Sequence, residues 1–153
     1  MPQAPPPTLS RKKMKHWNDL DGTIFFNKLF KQPVEIGKTY IHSLRIENDN
    51  NDLGIGFDIP EFPECLPEKW KDKGYNACRI GLTCSEISDL KIINLPIREV
   101  FLITIKQENE YFFLAAKSKN ASIEFKTRWL SLSGPSVYMN CPGPEDYDWS
   151  DEI

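Results

Sequence analysis

Between Ala121 and Arg128 the side chains change character at every second position. Ala121, Ile123, Phe125 and Thr127 are apolar or small, and they alternate with Ser122, Glu124, Lys126 and Arg128. A strand with one dry face and one wet face needs that period of two, which does not suit a helix. The flanking stretches agree. Residues 100–105 are a continuous β-branched and apolar run, and residues 111–116 an aromatic and apolar one. Polar tetrapeptides at 107–110 and 117–120 separate these runs at hairpin length. Leu130 and Leu132 then lead through Gly134 and Pro135 into residues 137–139. Residues 99–140 therefore predict three or four antiparallel strands in succession.

Upstream, residues 24–30 are apolar enough for an edge or first strand, and Pro33 ends it. Val34 and Ile36, a turn at Gly37 and Lys38, and residues 39–46 predict a further strand pair. Leu53, Ile55, Phe57 and Ile59 alternate with Gly54 and Gly56 on the opposite face. Residues 60–96 read as a long irregular excursion containing a short strand at 78–84. Residues 86–94 fit neither a helix nor a strand cleanly. The expectation is one all-β domain over residues 24–141, a jelly roll or β-sandwich. A proline-rich and basic tail, disordered, precedes it at 1–23, and a flexible acidic tail follows at 142–153.

With 153 residues and a net charge of −3, the chain is one domain by length and carries no whole-domain basicity of the kind nucleic acid attracts. No stretch approaches the roughly 18 apolar residues of a membrane span. Residues 1–15 lack a signal-peptide core, which predicts an intracellular protein. The four cysteines (Cys65, Cys78, Cys84 and Cys141) contain no Cys-x-x-Cys pair and read as free buried thiols, not as a metal site. Nothing in the sequence calls for a cofactor.

Asp19-Leu-Asp21-Gly22-Thr23 spells the motif of haloacid-dehalogenase-like phosphatases, in which the first aspartate is the nucleophile and the second the acid/base. That chemistry needs a buried strand ending at the first aspartate. The preceding Lys13-Met-Lys-His-Trp-Asn18 cannot supply one. The motif reads as a polar turn, and the chain as non-enzymatic. His42 reads as a surface or packing residue. What remains for function is acidic surface. Glu47, Asp49 and Asp52 crowd one loop, and Glu145, Asp146, Asp148, Trp149, Asp151 and Glu152 crowd the tail. Acidic tracts attract basic partners at long range.

The order of these features resembles the nucleoplasmin family of pentameric histone chaperones, whose core is a jelly roll. The resemblance begins at Leu29 and Phe30 and includes Val34, Gly37, Lys38 and Tyr40. It continues through the acidic loop into Leu53-Gly-Ile55, and returns at Leu130-Ser-Leu-Ser-Gly-Pro-Ser-Val-Tyr-Met139. It implies a self-associating module, nuclear rather than cytoplasmic, that binds basic partners such as histones through the acidic loop and tail. Phe125-Lys-Thr-Arg128 and the closing Leu-x-Leu-x-Gly134 also resemble a galectin-type sandwich, which implies a monomer binding a peptide or glycan. The galectin sugar-site residues are missing from the chain.

Overall fold

A computed structural model describes residues 12–140 and Trp149. The chain is all-β and antiparallel, as the alternation requires. Its strands are β1 (Lys12–Lys13), β2 (Lys38–Glu47), β3 (Asp52–Ile59), β4 (Ala77–Ile93), β5 (Val100–Glu108), β6 (Tyr111–Lys117) and β7 (Ser122–Tyr138). β2, β3 and β4 form one meander, and β5, β6 and β7 another. β4 pairs with β7 and β2 with β5, so the sheet closes on itself as β5-β2-β3-β4-β7-β6-β5. β1 adds to the β5 edge beyond β2, with Lys12 opposite Gln107.

The inward side chains are those that the period of two selects. Leu53, Ile55 and Phe57 on β3, Ile103 and Ile105 on β5, Leu114 on β6, and Ile123 and Phe125 on β7 are all buried. The three or four strands expected over residues 99–140 are three, the last of which, β7, runs unbroken through Gly134 for 17 residues. The irregular stretch is shorter than expected, because β4 begins at Ala77 and runs to Ile93.

The N-terminal segment corrects the sequence reading most. Residues 12–23 are not a loose tail. Met14 N–H donates to the Ile105 carbonyl (2.8 Å), and Trp17 is fully buried against Phe57, ring centroids 5.0 Å apart. Residues 24–30 are not a strand either, because Ile24–Leu29 is a helix, α1. Phe26, Leu29 and Phe30 recur at i, i+3 and i+4, which places them on one helical face, and all three are buried. Val34 is buried without joining a strand; its N–H donates to the Asn18 side chain (2.7 Å).

The Asp-x-Asp-Gly-Thr segment is the hinge that seats α1. Asp19 ends a short 3-10 turn, Trp17–Asp19. The Asp21 carbonyl accepts from Leu132 N–H of β7 (2.8 Å), and the Thr23 hydroxyl donates back to the Leu20 carbonyl (2.9 Å). Gly22 has φ +79°, and a Cβ there would lie 2.4 Å from the Leu132 carbonyl oxygen. Gly22→Ala combines a left-handed backbone with that collision. It should lower unfolding stability by about 2–3 kcal/mol, measurable by urea titration.

Candidate functional site

The acidic loop becomes the β2–β3 hairpin. Asn48, Asp49, Asn50 and Asn51 form its turn, closed by Asn51 N–H to the Asn48 carbonyl (3.2 Å). Asn51 takes φ +52°, which asparagine tolerates better than most residues. The Asn51 side chain donates to the Ile87 carbonyl of β4 (3.1 Å) and fixes the hairpin against that strand.

The register aligns the side chains beyond the turn. Glu47 pairs with Asp52, Asp52 with Ser85, and Ser85 with Trp129. Their strand neighbours Leu53, Cys84 and Leu130 point inward. Asp52, Ser85 and Trp129 therefore face outward, and with Glu47 form one lateral row across four strands. At about 4.8 Å per strand the row is roughly 14 Å long. Trp129 is 58% exposed, an unusual position for so large an aromatic.

Two paired strands change phase together to put Trp129 there. Cys84 points inward on β4, and the next inward apolar residue is Ile87. Opposite it on β7, Thr127 and Leu130 do the same. Glu86 takes φ +56° at this bend. The buried Thr127 hydroxyl reaches the carbonyls of Ser85 (2.7 Å) and Trp129 (2.9 Å), which holds the bend. Arg128 spans Glu86 (3.6 Å) and Glu110 (3.5 Å) beside it.

Next to the row lies a cleft of about 290 Å³ between the hairpin and the second half of β4. Glu47, Asp52 and Asp89 are its acids, and Ile46, Ile87 and Leu90 supply apolar walls. Sequence reasoning identified Glu47 and Asp52 but missed Asp89, Ile46 and Trp129. Asp49 stands at the hairpin tip, outside the cleft. The tail residues Glu145, Asp146, Asp148, Asp151 and Glu152 lie outside the described residues. Trp149 is partly buried, and its carbonyl accepts from the Lys38 ammonium, away from the hairpin.

A second surface has the opposite charge. Lys91, Lys106, Lys117 and Lys126 surround Phe113 and Ala115 on the outer face of β4 to β7. Two of these lysines already have partners. Lys117 pairs with Glu124 (3.4 Å), and Lys126 sits 4.0 Å over the Tyr111 ring.

Other polar clusters are internal ties. Asp58, buried, accepts from Arg79 Nε (3.0 Å) and from the Tyr138 hydroxyl, and Arg79 also donates to that hydroxyl (3.1 Å). This triangle joins β3, β4 and β7. His42 lies over Gly56, where a Cβ would sit 2.7 Å from the ring. Desolvation, followed by the nearby Arg79 charge, holds its pKa below 6.5, against an opposing pull from Asp58. No group of three or more histidine, cysteine or acidic side chains among the described residues could hold a metal. No helix among them is long and apolar enough to cross a membrane.

Because the fold favours neutral His42, its contribution is complete above pH 6.5 and declines as pH falls below it. A melting-temperature series from about pH 7.5 to 5.5 should slope downward, and His42→Gln should flatten the slope. Burial raises the thiols of Cys78 and Cys84 to about 12. Cys65 is only partly buried. Iodoacetamide labelling read by peptide mapping should therefore modify Cys65 in the folded protein, and Cys78 and Cys84 only after unfolding.

Residues 22–138 match the model of the immunity protein 50 family. No curated protein and no solved structure matches the chain. The match spans most of the chain, from the glycine that seats α1 to the tyrosine that ends β7, and the chain belongs to the immunity protein 50 family. This is a bacterial family, so the setting is a bacterial cell, and the nuclear placement drawn from the nucleoplasmin resemblance is corrected. Immunity proteins are interaction proteins, which agrees with the coarser expectation of a protein-binding module.

Proposed function

We propose that this protein neutralises a toxin by binding it, without catalysis, and that the toxin docks on the acidic row and its cleft. The observation that carries the reading is the row itself. Two carboxylates, Glu47 and Asp52, stand in lateral register with an exposed tryptophan, Trp129. Binding energy concentrates on a few residues, tryptophan prominent among them, ringed by polar groups. Carboxylates at the edge of such a patch steer a basic partner toward it and set the salt dependence of the on-rate. Asp89 extends the acidic rim, and Ile46, half exposed, adds apolar area within the cleft.

The histone reading needed a basic partner for the acidic loop, and a basic surface of the toxin takes that place here. The phosphatase reading loses its support, because Asp19 closes a 3-10 turn and Asp21 is tied through its backbone to β7.

The test is calorimetry between this protein and its cognate toxin domain at several salt concentrations. Trp129→Ala should weaken binding by at least about tenfold with little change in melting temperature, because the side chain is mostly exposed. Glu47→Lys with Asp52→Lys should weaken it further and reduce the salt dependence. Affinity unchanged by both would remove the row from the interface.

A second reading places the toxin on the lysine face, since Lys91, Lys106, Lys117 and Lys126 converge there on the Phe113 ring. Lys91→Glu with Lys106→Glu separates the two readings. These substitutions abolish binding only if the lysine face is the interface.

A further inference from the structure

Among the described residues, the second half of β2 has one edge paired and one edge open. From Ser43 to Glu47 it runs in unbroken register with β3, from Gly56 to Asp52. On the other side β5 pairs with it only at Lys38, Thr39 and Tyr40. Among the described residues no other strand continues that ladder. Alternate residues of a strand direct N–H and C=O to opposite sides, so this edge presents backbone donors and acceptors past Tyr40.

Folded proteins usually blunt an open edge with bulges, prolines or charges. β4 shows the usual device. Past Ser85 its β3 side is open too, but Glu86 and Asp89 both take φ +56° and the register slips between Ser88 and Lys91. β2 has its one irregularity between Ile41 and Ser43. From Ser43 to Glu47 it has no slip, no proline and no positive φ. A regular strand template is thus left open beside the acidic row.

Charge selects the occupant. The edge runs into Glu47, Asp49 and Asp52, and residues 46–52 contain no lysine or arginine. The one cation on this part of β2, Arg45, lies across Gly54 of β3. A second copy would bring another net charge of −3 and the same acidic hairpin. We infer that an extended segment of the toxin, bearing lysine or arginine, adds as a further strand along Ser43 to Glu47. Its basic side chains then meet Glu47, Asp49 and Asp52. This rests on the toxin-binding reading above and specifies how the partner is held.

The test uses three short synthetic peptides and the full-length protein. One alternates valine and lysine; the second is its backbone N-methylated analogue; the third replaces lysine with glutamate. Binding is read by calorimetry and by amide hydrogen exchange. The first peptide should bind and slow exchange at residues 43–47, and each of the others should bind at least about tenfold more weakly. Equal binding of the first and second overturns strand addition and leaves the acidic docking surface standing. Equal binding of the first and third overturns the charge selection alone. No binding by any peptide overturns both. Protection at 43–47 that grows with protein concentration alone makes a second copy the occupant and overturns the choice of toxin.

Two variants locate the effect. Of Leu44→Pro and Arg45→Pro, one removes an N–H from the open edge and the other removes one from the β3 ladder. The first should keep the wild-type melting temperature and lose the peptide, and the second should melt earlier. Retention of binding by a proline variant with an unchanged melting temperature overturns the proposal.

Discussion

The ladders between the two meanders, β4 with β7 and β2 with β5, turn two ribbons into one body. β4 and β7 pair from Ala77 opposite Tyr138 to Ile93 opposite Ser122, and β5 pairs with β6 on one side and with β2 and then β1 on the other. Without those two ladders, each three-stranded meander would bury one face and leave both edges bare. With them, the inward residues of both meanders share a single interior. The N-terminal segment seals this interior through Trp17, Phe26 and Phe30. Each large side chain so buried is worth about 1.5–3 kcal/mol of transfer free energy. Closure also decides where the sheet stays open. Among the described residues, the unpaired parts of β2 and β4 flank the same hairpin, and the acidic cleft lies between that hairpin and β4.

Much of this was legible in the chain because alternation is a local signal. Leu53, Ile55 and Phe57, or Ile123 and Phe125, announce a strand and its inward face without reference to anything distant. The misreadings have physical causes. Residues 24–30 are apolar enough for either element, and only the burial of Phe26, Leu29 and Phe30 on one side settles the helix. Residues 12–20 read as a tail because their lysines dominate, yet Trp17 and Leu20 are buried. Residues 86–94 were ambiguous because Ile87, Leu90 and Ile92 break the period of two, and those breaks are bulges in a strand.

The candidate site was half legible for the same reason. A cluster of acids in one loop is visible in any reading, so Glu47 and Asp52 were found. Trp129 was not, because strict alternation from Thr127 would turn it inward. The three-residue step from Thr127 to Leu130 marks the phase change that exposes it. Asp89 was hidden by the irregular backbone around it. A surface built from register shifts joins residues distant in sequence, and no local period reports it.

Charge is unevenly spread on this small body. Glu47 and Asp52 of the hairpin gather with Asp89 of β4 at the cleft, while lysines of β4 to β7 dominate a second surface, which Asp89 and Glu124 also line. An exposed tryptophan, an acidic rim and an open strand edge together suit a basic, extended partner better than a small ligand. Carbodiimide footprinting of carboxylates, in the free protein and in its complex with the toxin, tests that claim most directly. Protection of Glu47, Asp49 and Asp52, with Glu124 on the lysine face still reactive, is the predicted result. Protection of Glu124 with those three hairpin acids still labelled would contradict it.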